Sequence, residues 1–166
     1  NGNSIKIFSD IPLALSSAAI SKITAFEIVD KKIMTVENLT SFNRIKKTNT
    51  FFIFLSGYHN SAKQIFLKTI FTQNSNKEYY HFGDIDPDGF FILDNLRSKT
   101  QIDFKAYKMG MAELQKYSSY TRPLEENDLR KADSLIAKGK YTEILDYMLK
   151  HNVKLEQEII SWKEAD

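Results

Sequence analysis

Tyr79-Tyr80-His81-Phe82-Gly83-Asp84-Ile85-Asp86-Pro87-Asp88-Gly89 places a short apolar run directly before three carboxylates within five residues, with Gly and Pro fixing the turn. The run reads as a strand, and Pro87 suits the first turn of a helix continuing through Phe90, Phe91, Leu93 and Leu96. A strand, an acidic turn and a helix form a unit of an α/β fold, whose ligands sit beyond the carboxyl ends of the strands. Like charges held this close repel unless a cation or solvent compensates. With no Cys and three His in the chain, the oxygen donors favour Mg²⁺ or Mn²⁺, and Ca²⁺ stays open. A solvated acidic turn is the alternative, since Asp, Pro and Gly are ordinary turn residues.

Upstream, Lys22 to Val36 reads as two β-rich runs joined at Asp30-Lys31, hence a β-hairpin whose second run delivers Glu37. Phe51 to Leu55 is a continuous apolar run that suits a strand buried on both faces. Asn60 or Ser61 can cap a helix running through Phe71, and Ile102 to Tyr107 supplies a further strand. This alternation predicts a mainly parallel, four-stranded central sheet with Glu37, Asp84 and Asp86 able to converge on one ion. After Pro123 the pattern is helical: Glu125 to Lys138, Tyr141 to Lys150, and Val153 to Lys163. The expectation is one domain over 1–166, with a core at about 22–120 and a helical extension over 121–166.

Other chemistries find less support. Asp84-x-Asp86-x-Asp88-Gly89 matches the opening of an EF-hand loop, but its bidentate Glu position falls on Asn95 and a strand precedes it. No Walker loop and no Gly-x-Ser-x-Gly elbow is present. A net charge of +2 does not diagnose nucleic-acid binding, although gathering the acids would leave the remaining surface more basic. His59 could approach a phosphate, while His81, within a strand, is structural. Lys63, Arg97, Lys105, Lys108 and Arg122 are weak candidates for a phosphate track. The lack of Cys suits a reducing cytoplasm, and no apolar run reaches the roughly 20 residues of a membrane span. The chain begins at Asn1, which suggests part of a longer protein.

Thr35-Val36-Glu37-Asn38-Leu39, Phe54-Leu55-Ser56-Gly57 and His81 to Gly89 together resemble the Toprim fold, a Rossmann-like catalytic domain shared by topoisomerases and primases. The Asp-Pro-x-Gly continuation is similar to the branch holding the topoisomerase VI A subunit and the JetD nucleases of Wadjet plasmid defence. With Leu155-Glu156-Gln157-Glu158 added, the pattern looks most like the JetD C-terminal domain, over about Ile11 to Ile160. The resemblance implies a Mg²⁺-dependent (or Mn²⁺-dependent) DNA nuclease, with Glu37, Asp84 and Asp86 catalytic and metal-binding, and Asp88 a supporting metal residue. Glu156 and Glu158 match the late acidic motif, on different helix faces because two positions turn through about 200°.

The resemblance also implies double-stranded, circular DNA as substrate, SMC-type partner subunits, and a missing N-terminal DNA-binding part; a homodimer stays open. No Tyr lies in a context that marks a topoisomerase nucleophile, which favours either hydrolysis or an absent N-terminal part supplying the DNA grip; topoisomerase-like strand cleavage stays an alternative. Two further readings remain: a non-catalytic nucleic-acid or partner-binding module, and a primase-like or small-molecule phosphotransferase.

Overall fold

A computed structural model describes residues 13–57 and 60–164. The chain runs α1 (Ser17–Ile20), β1 (Lys32–Val36), α2 (Leu39–Arg44), β2 (Thr50–Phe54), α3 (Ser61–Gln73), β3 (Glu78–Phe82), α4 (Pro87–Thr100) and β4 (Lys105–Ala106). It continues through α5 (Met111–Lys116), a 3₁₀ turn at Ser118–Tyr120, α6 (Glu126–Ile136), α7 (Thr142–His151) and α8 (Gln157–Lys163). The strands form one all-parallel sheet in the order β2-β1-β3-β4, as the alternation predicts. Ile33 pairs with Tyr79 and Val36 with Phe82, so successive positions feed opposite faces of the sheet.

Both faces are covered, as a parallel sheet requires. On one side Ile33, Ile53 and Tyr79 pack with Leu67 and Ile70 of α3 and Leu93 and Leu96 of α4. On the other, Met34, Val36 and Phe82 share a core with Leu135, Leu145, Met148 and Ile160 of the three C-terminal helices. Asn60 caps α3, accepting from the Lys63 N–H at 3.0 Å, and Asp86 caps α4, accepting from the Gly89 N–H at 2.6 Å.

Three expected elements differ. The hairpin over Lys22 to Val36 is not formed: only its second run is a strand. β1 is central, with β2 and β3 on its two edges, so no edge remains for residues 23–29. Those residues turn to the end of α3 instead. The Phe26 N–H donates to Gln73 Oε1 (3.0 Å), the Ile28 N–H to Asn74 Oδ1 (3.1 Å), and Asn74 Nδ2 to the Phe26 carbonyl (2.7 Å). Those three backbone groups are thus satisfied by side chains rather than by a ladder.

The strand expected over Ile102 to Tyr107 shrinks to Lys105–Ala106. Gln101 closes α4 at φ 61°, and the Phe104 N–H then turns back onto the Ile102 carbonyl at 2.9 Å. Finally, Val153 to Lys163 is helical only from Gln157. Lys154 and Leu155 are extended and bridge Arg122 and Ile85 in antiparallel fashion. Ile85, between two acids of the turn, exchanges both backbone hydrogen bonds with Leu155, at 2.9 and 3.0 Å. That bridge brings the start of α8 to the acidic turn.

Gly89 is the tightest point of this arrangement, because a Cβ there would lie 2.3 Å from the Asp84 carbonyl oxygen. Backbone cannot yield as a flexible side chain can. Gly89→Ala is therefore expected to destabilise the fold by about 2 kcal/mol or more. Urea unfolding measures this, and an unchanged midpoint would mean that the turn relaxes freely.

Candidate metal centre at the carboxyl edge of the sheet

Glu37 leaves β1 at the sheet edge, where its N–H donates to the Phe82 carbonyl of β3 at 3.0 Å. Asn38 then caps α2, its Oδ1 accepting from Thr40 and Ser41 at 2.7 and 3.2 Å. Asp84 leaves β3 beside it. Glu37 and Asp84 line one open cleft of about 520 Å³, together with Asn38, Leu39, Phe54, Ser56 and Gly57. Gly83 makes room for the carboxylate: a Cβ there would stand 2.7 Å from Glu37 Oε2 and 2.9 Å from His81 Nε2.

The electrostatics of the cleft are adverse. Glu37 Oε2 is buried without a hydrogen-bond partner among the described residues. Burial, then the charges of Asp84, Asp86 and Asp88, push the Glu37 carboxyl up to about 8, against a backbone hydrogen bond from Asp84. Burial likewise pushes Asp84 up to about 7; the Gln157 N–H at 2.7 Å opposes it, while Asp86, Glu158 and Glu156 add to it. Asp86 is also raised by burial, with the Gly89 N–H opposing and Asp128 and Asp88 adding. His81 is fully buried, its Nδ1 2.9 Å from Thr35 Oγ1 and its Nε2 3.9 Å from Glu37 Oε2. The Thr35 hydroxyl proton faces the Tyr80 carbonyl at 3.2 Å, so Thr35 Oγ1 accepts from an Nδ1–H and Nε2 faces Glu37.

Gln157 holds the two acidic loops together. Its backbone N–H donates to Asp84 Oδ1, its Nε2 to the Phe82 carbonyl at 3.0 Å, and its Oε1 accepts from the Asn38 N–H at 3.0 Å. The sequence motif around it drew attention to its two glutamates. Gln is ordinarily exposed, and only a neutral side chain that both donates and accepts can bridge those two loops.

The remaining candidates distribute unevenly. Glu158 accepts from Asn38 Nδ2, and Glu156 pairs with Arg122. Glu156 precedes α8 rather than lying on it, so the expected separation by helical rotation does not apply, and both charges reach Asp84. Asp88 pairs with Lys131 of α6. Lys63 Nζ donates to the Leu55 carbonyl behind the cleft, and burial lowers its pKa. His59 lies outside the described residues.

Lys108 pairs with Glu164, and Lys105 with Glu78 at the start of β3. Arg97 Nε donates to the Phe104 carbonyl at 2.7 Å and its Nη1 to the Tyr141 hydroxyl at 2.9 Å. Arg97 stands in the last turn of α4 and the acids at its first, roughly 15 Å away along the axis. The basic residues therefore do not form one track. Among the described residues no group of three His, Asp or Glu side chains is drawn close enough to hold a metal ion. Glu37 and Asp84 share the cleft, while Asp86 turns to the α4 N-terminus.

Over residues 5–166 the chain matches the family described as Wadjet protein JetD, C-terminal. It belongs to the JetD C-terminal family. It is 28% identical over 153 residues to the Wadjet protein JetD of Bacillus cereus (strain Q1), a match covering 88% of this chain and 37% of that protein. The chain thus spans little more than a third of that JetD relative's length.

The raised carboxyls give this JetD C-terminal domain a defined pH response. A folded-state pKa above the unfolded value means that the folded state holds protons the unfolded chain releases. The associated stability is complete below about pH 4 and lost as pH rises through about 7 for Asp84 and about 8 for Glu37. In chelator, unfolding free energy is expected to fall between about pH 5 and 8 by several kcal/mol, at about 1.4 kcal/mol for each pKa unit that each group traverses. Glu37→Gln should flatten the upper part of that fall. A wild-type stability that rose across this window would contradict the assignment.

Proposed function

We propose that this domain is the nuclease part of a Wadjet-type SMC anti-plasmid system in the cytoplasm, a Toprim-like domain that cleaves DNA phosphodiester bonds with Mg²⁺ or Mn²⁺. The observation that carries the reading is the buried, unpartnered Glu37 Oε2 sharing a cleft with Asp84 at the ends of adjacent parallel strands. The donors fit a hard divalent cation in kind: carboxylate oxygens, no thiolate, and more negative charge than the surroundings neutralise. Glu37 and Asp84 would hold it, and Asp86 would join by giving up its bond to the Gly89 N–H. The ion, when bound, neutralises charge on the scissile phosphate and lowers the pKa of an attacking water.

The chain's own residues do the positioning. Gln157 and Asn38 fix the two loops, the Thr35–His81 pair backs Glu37, and Lys131 ties Asp88 to α6. Uncompensated, the same carboxylates would repel a DNA phosphate, so cleavage depends on a cation. SMC-type subunits would deliver double-stranded, circular DNA, which a domain of net charge +2 grips weakly by itself.

The test is nicking or linearisation of circular plasmid by the full-length protein with Mg²⁺ or Mn²⁺. Glu37→Gln and Asp84→Asn are each expected to lower cleavage by about a thousandfold while the circular dichroism spectrum stays native. Undiminished cutting by either variant would refute the assignment. The use of Asp86 as a helix cap, with no closed three-ligand group among the described residues, favours one second reading: a non-catalytic module whose ion only ties the loops. In that case Mn²⁺ would raise the melting temperature and plasmid would remain uncut.

A further inference from the structure

We infer that a groove at the opposite end of α8 docks an acidic peptide segment of a partner protein, anchored by one apolar side chain. The groove encloses about 530 Å³ between the connection that follows α2 and the end of α8. Its apolar lining is the half-buried Tyr107 and Ile45, set over the buried Phe82 and Ile160 of the core that the C-terminal helices share. Its rim is basic. Arg44, Lys46 and Lys47 are exposed within four consecutive residues and carry no ion pair among the described residues.

Tyr107 concentrates this charge further, with Lys47 Nζ 4.7 Å and Lys108 Nζ 5.7 Å from its ring centroid. Glu164, the carboxylate lining the groove, is already paired with Lys108 and lies 4.0 Å from Lys116.

An apolar floor under a cationic rim calls for an occupant that brings carboxylates and a hydrophobic side chain together. Nucleic acid matches only the rim. An unpaired base would need an open aromatic face, whereas Tyr107 has ammonium groups over its ring and makes edge contacts with Phe82 and Tyr80, at 5.5 and 6.4 Å between centroids; duplex phosphates would use the rim and leave the apolar lining uncovered. The groove is also separate from the acids. Gln157 opens α8 and Glu164 caps its end, roughly 10 Å apart along the helix.

Fluorescence anisotropy of the full-length protein with a short fluorescein-labelled peptide, one central Leu flanked by Asp and Glu, tests the inference. Saturable binding is expected, weakened about tenfold by the Lys46→Glu and Lys47→Glu double substitution and about tenfold again when the peptide's Leu becomes Ala. Both lysines are exposed, so the variant should melt as the wild type does. Absence of saturable binding, or binding indifferent to either change, would overturn the proposal. So would displacement of the peptide by a duplex oligonucleotide that itself depends on Lys46 and Lys47, which would mark the groove as a nucleic-acid contact.

Discussion

Burial of like charges at one sheet edge governs this domain. Glu37 and Asp84 stand at the ends of adjacent strands, both largely withdrawn from water, with Glu37 within reach of the Asp84 charge. Burial weighs more than repulsion in raising both carboxyls, so separating them slightly would not relieve the site. What opposes the strain is local hydrogen bonding to the charged forms: Gln157 N–H on Asp84, the Asp84 backbone on Glu37, and Gly89 N–H on Asp86. Each charge-assisted bond offsets about 2 kcal/mol, of the same order as the burial of one partly solvated carboxyl.

That balance explains why the C-terminal helices are more than an appendage. Leu135, Leu145, Met148 and Ile160 share the core that covers Met34, Val36 and Phe82, and the Ile85–Leu155 bridge aligns α8 against the turn. Removing these helices would strip the sheet of one apolar cover and Asp84 of its principal donor. The site is thus assembled from both halves of the chain, with contacts such as Asn38 to Gln157 spanning 119 residues.

Elements encoded by local chemistry were legible in the sequence. Pro87 and the acids before it marked the β3 to α4 turn, Asn60 or Ser61 marked the start of α3, where Asn60 proves to be the cap, and Glu37 followed a readable strand. Positions decided by tertiary competition were not. The run over residues 23–29 has strand composition, yet both edges of β1 are taken, a fact that sheet order alone determines. Arg97 and Lys105, weak candidates for a phosphate track, have carbonyl, phenol and carboxylate partners that only the folded arrangement supplies. Gln157 was overlooked because its importance lies in where three hydrogen bonds meet.

Asp86 carries the remaining tension, since one carboxylate serves two ends. As the N-cap of α4 it satisfies the Gly89 N–H, a bond worth about 1 kcal/mol to the helix. The positive end of the helix dipole also favours a negative charge there. The same carboxylate lies beside Asp128 and Asp88, with Lys154, which donates to Asp128 at 2.7 Å, the opposing charge. A cation in the cleft would attract Asp86 far more strongly than one N–H does, while Pro87, which has no N–H to lose, keeps the first turn of α4 helical. The cap is therefore the bond that Asp86 would have to give up to join the proposed ion, worth little against the charge of a divalent cation.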